Sequence, residues 1–266
     1  MRSAVPVHST ALEPGSFADF LMFLEVALSP LEIPGRADLA GKNVVVIDVL
    51  RATSTIVQAI ASGCRRVIPM DGIAEARRQA AESAAESVLL AGEWNGVRPA
   101  GFDLGNSPRE FTTAAVSGRT IVMATTNGTR ALHRVRDAHR ILAGCFRNLT
   151  ATAAAVAAAG RDALIVCSGQ AGTPSLEDIA CAGALARRIQ GLAGPGCLVG
   201  DPVIVAQCVL DAQPSILAIL RGSSHGRDLS RLGFDADLEL CAEADATEIV
   251  AEMRDGAVVR AMPGQP

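Results

Sequence analysis

The stretch VVVIDVLRATSTIVQAI, residues 44–60, decides the fold class that the sequence predicts. It begins with β-branched apolar residues, which predict a buried strand over 44–48, and it continues in a pattern typical of a helix over 54–62. Between the two lie a carboxylate at Asp48, a guanidinium at Arg51 and a cluster of hydroxyls at Thr53, Ser54 and Thr55. A buried strand that runs through polar residues into a helix is the repeating unit of α/β proteins.

The same alternation continues along the chain. The predicted strands lie at 44–48, 65–70, 87–92, 120–125, 140–144 and 163–169, and the predicted helices at 54–62, 73–86, 108–116, 129–136, 149–160 and 176–190. Two apolar helices follow near 203–222, and strand-like pieces lie near 238–241 and 257–262. This order predicts an α/β fold, a three-layer α/β/α arrangement with a largely parallel or mixed sheet.

Residues 1–40 are predicted to form an irregular N-terminal extension with a short helix near 17–28, because prolines interrupt them repeatedly. Residues 41–266 are predicted to form a single α/β domain. A buried strand runs into a polar loop at VVVID/VLRATST, at TIVMA/TTNGTR and at ALIVC/SGQAGTPSLED. Two similar βα halves, residues 41–145 and 146–266, are therefore an alternative division of this domain.

Composition and charge exclude several classes of protein. The formal net charge is -4 and no long basic run occurs, which argues against nucleic-acid binding. No apolar run reaches the roughly 18 residues that span a bilayer, and residues 17–28 lack the flanks of a signal peptide. The seven cysteines show no disulfide or metal-site spacing. We therefore predict reduced thiols and a cytoplasmic location. The oligomeric state stays open, and a homo-oligomer is possible.

The polar residues after the first strand suit an anion and a cation together. A helix N-terminus favours anions, and an arginine with hydroxyls beside it suits phosphate oxygens. Asp48 would repel a phosphate, so it indicates a divalent cation between the two groups or a carboxylate that attacks phosphorus. An ordinary helix cap with an Asp48–Arg51 ion pair would explain the same pattern.

Three further polar loops follow strands of the same predicted sheet. In open α/β sheets ligands bind beyond the carboxyl ends of the strands, so these loops are candidate walls of one site. The long segment 91–110 contains Glu93, Asn106 and Ser107, with Ser107 as a predicted helix cap. The remaining candidates are Thr125, Thr126, Asn127, Gly128, Thr129 and Arg130 in the second loop, and Ser168, Gly169, Glu177 and Asp178 in the third.

Other conspicuous segments are predicted to be ordinary. No P-loop, GxSxG or HExxH pattern is present. GPGCLVG at 194–200 follows a helix and not a strand, so it is predicted to be a turn. SSHGRDL is predicted to be a polar turn, with His225 as a cap or a surface group.

Several stretches together resemble the 2-phosphosulfolactate phosphatase family: VVVIDVLRATSTI, LLAGE, GFDLGNSPRE, TTNGTRAL, CSGQAGTPSLEDIACAGAL and, more weakly, SSHGRDLSRLGFDADLELCA. The resemblance implies a magnesium-dependent phosphatase of α/β/α architecture that converts (R)-2-phospho-3-sulfolactate to 3-sulfolactate and phosphate, a step of coenzyme M biosynthesis in methanogens. Where the family often has a basic residue after LAGE, this chain has Trp94-Asn95, so its substrate preference is open.

Residues and resemblance together predict the composition of the site. Asp48, Arg51 and Asp178 are the predicted catalytic residues, and Asp48, Glu93, Glu177 and Asp178 are the candidate ligands of Mg²⁺. The hydroxyls at 53–55, Asn106, Ser107, the 125–130 loop, Ser168 and Gly169 are predicted to bind a small phosphorylated sulfonate or carboxylate. Rival hypotheses are a phosphatase or phosphotransferase for another phosphorylated acid and a non-catalytic sensor of such acids. Whether a carboxylate or a metal-bound water attacks phosphorus is left open.

Overall fold

The computed structural model describes residues 22–83 and 87–261. Its described strands are β1 (Met22–Ala27), β2 (Asn43–Ile47), β3 (Arg66–Met70), β4 (Val88–Gly92), β5 (Thr120–Ala124), β6 (Arg140–Gly144), β7 (Ala163–Cys167), β8 (Cys197–Val199), β9 (Ala251–Arg254) and β10 (Ala257–Arg260). Its described α-helices are α1 (Arg36–Leu39), α2 (Ala52–Ala61), α3 (Ile73–Glu82), α4 (Thr113–Val116), α5 (Gly128–Arg134), α6 (Leu149–Ala158), α7 (Leu176–Ala193), α8 (Asp201–Asp211), α9 (Ile216–Gly222), α10 (Ser224–Arg231) and α11 (Asp235–Cys241).

The strands form one mixed sheet, and helices cover both of its faces, so the predicted α/β fold is confirmed. Across the described part of the chain the strand order is β4-β5-β3-β10-β9-β6-β2-β7-β1-β8. Strands β4, β5 and β3 form one parallel block and β6, β2, β7, β1 and β8 form another. The β9–β10 hairpin joins the blocks through antiparallel pairings. The alternative division at residue 145 would separate β6 from β7, although both pair with β2.

Strand β2 lies between β6 and β7 in the second block and is buried on both faces, as its run of β-branched residues predicts. Val45 and Ile47 pack into the core under α6 and α7, whereas Val44 and Val46 pack into the core under α2 and α5. Alternate residues of a strand point to opposite faces, so one short strand joins the two cores. Asp48, the residue after this buried strand, therefore has a fixed backbone position.

The described part of the predicted N-terminal extension belongs to the sheet. Residues 17–21 lie outside the described residues, but Met22–Ala27 form strand β1 and not the predicted helix. From Met22 to Val26, buried residues alternate with less buried ones, which is a strand period. Because β1 pairs with β7 and β8, the domain includes residues before 41.

Other predictions fail in the C-terminal half. Residues 238–241 belong to helix α11, and SSHGRDLSR forms α10 and not a turn. The segment 194–200 contains a 3-10 helix and the short strand β8, and strand β9 was not predicted. In the described residues no single helix is long and apolar enough to cross a membrane, and α8 with α9, bent by 97°, passes that test only as a pair.

Candidate active site

Asp48 follows strand β2 and is held at the start of helix α2. Its Oδ1 accepts a hydrogen bond from the Ala52 amide at 3.0 Å, and its backbone exchanges hydrogen bonds with Thr53. The second βα loop approaches from the opposite side. A Cβ on Gly128 would lie 2.5 Å from Asp48 Oδ2, so this position needs a glycine for close approach. The carboxyl ends of β2 and β5 thus meet at Asp48, although the strands belong to different parallel blocks.

The hydroxyl cluster does not form the predicted phosphate cradle. All three side chains are fully buried, and none of them lines the pocket beside Asp48. Thr53 donates to the Gly144 carbonyl at 2.7 Å, Ser54 to the Val49 carbonyl at 2.8 Å and Thr55 to the Asn106 carbonyl at 2.9 Å. These hydroxyls bind the loop to its neighbours and are not available to a substrate.

Arg51 lies on the wall of the pocket in a buried clamp. Its Nη1 donates to Asp237 Oδ2 at 2.7 Å, and its Nη2 donates to the Gly96 carbonyl at 2.9 Å. The guanidinium carbon lies 4.2 Å from the centroid of the Phe234 ring. Asp237 also accepts a hydrogen bond from Ser107 Oγ at 2.6 Å, so Ser107 does not cap the following 3-10 helix with its side chain. Three of the five guanidinium N–H groups are not used in these bonds.

Glu93 holds the second loop against the segment that follows β4. Its Oε1 accepts hydrogen bonds from the amide and the hydroxyl of Thr126, both at 2.8 Å, and its Oε2 accepts one from the Gly96 amide at 2.7 Å. Glu93, Thr126 and Asn127 all line the pocket beside Asp48. Both Glu93 oxygens already have donors, which makes Glu93 a weaker candidate for a metal ligand.

The rest of the second loop does not face this pocket. Thr125 and Thr129 are buried and bond to each other and to the loop backbone. Arg130 is half exposed and pairs with Asp71 at 3.1 Å. It lines two other surface depressions, so the structure does not bring the second predicted anion-binding arginine to Asp48.

The third loop is tied to the first by Asp178. Its Oδ1 accepts from the Val49 amide at 2.8 Å, and its Oδ2 accepts from the Gly169 amide at 3.0 Å. Gly169 has φ of +62°, which favours glycine, and a Cβ there would lie 2.2 Å from the Thr173 carbonyl oxygen. Both Asp178 oxygens are therefore occupied in positioning two backbones, and Ser168 is buried beside them.

Glu177 faces His225, which the sequence predicted to be a cap or a surface group. The side chain of His225 is 22% exposed, and its Nδ1 lies 3.5 Å from Glu177 Oε1. Ser223, and not His225, caps α10 by accepting from the Gly226 amide at 2.9 Å. His225, Leu229 and Leu232 occur at helical spacing and all line the pocket, so this spacing was the missed signal in the sequence.

The pKa values of this cluster are shifted by burial and by mutual charge. Burial raises the pKa of Asp48 to about 6, with His225 opposing the shift and Glu93 and Glu177 adding to it. Burial, with Glu177 and Asp48 nearby, raises the pKa of Asp178 well above its ordinary value. Burial alone would lower the pKa of His225, but the hydrogen bond and charge of Glu177 outweigh it and raise that pKa. Such clusters are typical of catalytic sites.

The pocket has a volume of about 470 Å³, which suits a small ligand. Of the residues predicted to bind substrate, Asn106, Thr126 and Asn127 lie on its wall. Three carboxylates line it, from Asp48, Glu93 and Asp228, as do two guanidinium groups, from Arg51 and Arg231. Glu177 lines a neighbouring cavity of about 260 Å³ that shares His225 and Gln170 with this pocket.

The oxygen atoms near Asp48 that have no hydrogen-bond partner are better candidate ligands of a divalent cation than the predicted set of four carboxylates. No group of three or more His, Cys, Asp or Glu side chains within residues 22–83 and 87–261 has the arrangement of a metal site. Mg²⁺, however, is commonly bound by one or two carboxylates plus water and substrate oxygens. Glu177 Oε2 and Asn106 Oδ1 are buried without hydrogen-bond partners, whereas the oxygens of Glu93 and Asp178 have donors. The oxygen atoms of Asp48, Glu177 and Asn106 therefore fit as ligands of such a cation.

Comparison with known proteins shows the family of this chain. The model of the family described as 2-phosphosulpholactate phosphatase matches residues 27–256, which include Asp48, Arg51, Glu177, His225 and Asp237. The chain belongs to the 2-phosphosulfolactate phosphatase family. It is therefore an enzyme, a phosphatase that acts on phosphoric monoesters.

Curated relatives of the family match almost end to end. The chain is 37% identical over 239 residues to a probable 2-phosphosulfolactate phosphatase of Caldanaerobacter subterraneus subsp. tengcongensis, covering 89% of this chain and 98% of that protein. It is 40% identical over 232 residues to a protein of the same name from Symbiobacterium thermophilum, covering 86% and 98%. A third, from Thermotoga maritima, is 39% identical over 219 residues, covering 82% and 92%.

Proposed function

We propose that the Asp48 pocket hydrolyses (R)-2-phospho-3-sulfolactate to 3-sulfolactate and phosphate in a magnesium-dependent reaction. The observation that carries this proposal is that Asp48 and Arg51 share the wall of one small pocket at the start of α2. The names of the curated relatives supply the substrate. As in phosphoryl transfer generally, such a site acts mainly by positioning and by charge stabilisation.

The charges of the pocket support the proposed Mg²⁺. Three carboxylates and two guanidinium groups line it, and the substrate would add a phosphate, a carboxylate and a sulfonate. A divalent cation would offset that excess of negative charge and polarise the phosphoryl group. Asp48 and Glu177 are the proposed protein ligands, because Glu177 Oε2 has no donor and the oxygens of Glu93 and Asp178 do.

The chain's own groups would bind the phosphate and supply a proton. Arg51 offers the guanidinium N–H groups that its clamp leaves free, in a fixed orientation. His225 Nδ1 faces Glu177, which favours a proton there and orients the ring. In the protonated ring, Nε2 would donate its proton to the oxygen of the leaving alcohol. Attack on phosphorus by the Asp48 carboxylate and attack by water are both compatible with this placement.

The test measures phosphate release from (R)-2-phospho-3-sulfolactate by the wild-type protein after treatment with a chelator and after return of Mg²⁺. We expect release only with Mg²⁺, and a loss of about a hundredfold to ten-thousandfold in kcat for Asp48→Asn. Asp211→Asn is the matched control, because Asp211 in α8 is an exposed carboxylate that pairs with Arg187 and does not line the pocket. Hydrolysis that persists in Asp48→Asn would remove Asp48 from catalysis, and transfer to an added alcohol without phosphate release would favour a phosphotransferase.

A further inference from the structure

The two arginines that line the pocket are held in different ways. Arg51 is 3% exposed and fixed by Asp237, the Gly96 carbonyl and the Phe234 ring. Arg231 is the last residue of α10, and its side chain is 74% exposed. Its Nη1 lies 2.8 Å from Asp228 Oδ1, in an exposed ion pair within one helix turn. Arg51 is thus a preorganised group, whereas Arg231 can reorient when an anion arrives.

Helix α10 places Arg231 away from the Asp48 end of the pocket. His225 near its start faces Glu177 and lines the pocket together with Asp48. Arg231 follows six residues later, which is about 9 Å along the helix axis. A phosphate bound at Asp48 and Arg51 would therefore leave Arg231 opposite a more distant part of the substrate.

The proposed substrate has an anionic group beyond the carbon that bears its phosphate. Its phosphate and carboxylate are both attached through C2, whereas the sulfonate is attached to C3, one carbon further on. We propose that Arg231 binds this sulfonate and so determines the preference for a sulfonated substrate; the inference rests on the proposed function of the pocket. Arg130, which the sequence predicted to bind the substrate, pairs with Asp71 outside the pocket.

Asp228 completes the arrangement as a partner that Arg231 can leave. An exposed ion pair at i,i+3 spacing is weakly stabilising, so a less solvated sulfonate can replace it. The guanidinium fork can present two N–H groups to two sulfonate oxygens, which a lysine cannot do. Leu229 and Leu232 line the same wall and would limit the water around the ion pair.

The experiment compares two substrates in two variants and a control. The substrates are 2-phosphosulfolactate and 2-phospholactate of matching configuration, which has hydrogen in place of the sulfonate. For Arg231→Gln we expect KM for the sulfonated substrate to rise about tenfold to a hundredfold, because a hydrogen-bonded charge pair is lost. We expect kcat to change little and KM for 2-phospholactate to stay as in the wild type. Arg231→Lys should recover part of the loss.

Arg227→Gln is the control, because Arg227 lies on the same helix but contacts Ser224 and the Gly222 carbonyl outside the pocket. It should leave both substrates unaffected. A rise in KM for Arg231→Gln that is equal for both substrates, or absent for both, would overturn the assignment of Arg231 and leave the proposed function intact.

A third substrate shows whether Arg231 binds the carboxylate or the sulfonate. It is the phosphate ester of 2-hydroxyethanesulfonate, which has the sulfonate but lacks the carboxylate. If the Arg231→Gln loss spares this ester and appears with 2-phospholactate, Arg231 binds the carboxylate and the assignment to sulfonate is wrong. If the wild-type protein hydrolyses none of the three esters, the proposed function fails, and this inference fails with it.

Discussion

The βα loops of the first half of the chain and the short helices α10 and α11 near its end contribute to one pocket in opposite ways. The loops contain most of the polar residues that suggest a site, yet Thr53, Ser54 and Thr55 bond to backbone carbonyls. The sequence prediction places no site residue in the two helices, yet they supply His225 and Arg231 to the wall and Asp237 to the Arg51 clamp. A dense polar loop therefore indicates where a site lies better than it indicates which groups touch the ligand.

The Arg51–Asp237 pair joins the two regions, and breaking it should give the largest effect on stability. Asp237→Asn keeps the volume of the side chain but leaves the buried guanidinium without its counter-charge. Removal of one partner of a buried pair destabilises by about 3–5 kcal/mol, which urea denaturation would measure. Asp211→Asn breaks an exposed pair with Arg187 and should change the free energy of unfolding little. Equal effects of the two variants would show that the clamp does not hold α11 to the loop.

Asp48→Asn should separate stability from activity. Burial raises the pKa of Asp48 to about 6, above its unfolded value of 3.8. Folding therefore favours the protonated acid, and that contribution is lost as pH rises from 3.8 through about 6. Above that window the metal-free wild type should be less stable than the asparagine variant, by up to about 3 kcal/mol.

Urea denaturation of both proteins in chelator, at several pH values, measures this difference. We expect the two stabilities to converge as the pH falls below 3.8, where Asp48 becomes protonated in both the folded and the unfolded wild type. If Mg²⁺ binds at Asp48, its addition at neutral pH should stabilise the wild type more than Asp48→Asn. A variant that is less stable than the metal-free wild type at neutral pH would contradict the assigned cost of the buried carboxylate.

His225→Gln tests whether α10 contributes chemistry and not only a wall. Loss of the proposed proton donor should lower kcat by about a hundredfold, with a smaller change in KM. A substrate with a more acidic leaving alcohol needs less protonation, so an aryl phosphate should lose much less than an alkyl phosphate. An equal loss for both leaving groups would indicate that His225 only positions Glu177 or the substrate.

The sequence predicted those parts of the fold that depend on local pattern. β6 (Arg140–Gly144) has the predicted bounds because its core-facing residues are apolar throughout, and Asp48 was found because it is a carboxylate at the end of a buried strand. The piece at 238–241 alternates like a strand, but Leu238 and Cys241 are buried at helical spacing in α11. Which of Arg130 and Arg231 faces the pocket depends on how α5 and α10 are rotated against the sheet, and spacing within a single helix does not determine that rotation.

The smallest expected effects concern the hydroxyls, and they test the other side of the comparison. Ser54→Ala removes a buried hydrogen bond to the Val49 carbonyl, which should lower the free energy of unfolding by about 1 kcal/mol. If the hydroxyl only stabilises the loop, KM for the phosphorylated substrate and inhibition by inorganic phosphate should stay close to the wild-type values. Ser230→Ala, which removes an exposed hydroxyl bonded to Asp235, is the matched control for stability. A rise in KM of tenfold or more, which corresponds to about 1.4 kcal/mol of binding free energy, at unchanged stability would contradict this. Ser54 would then return to the substrate-binding residues that the sequence proposed.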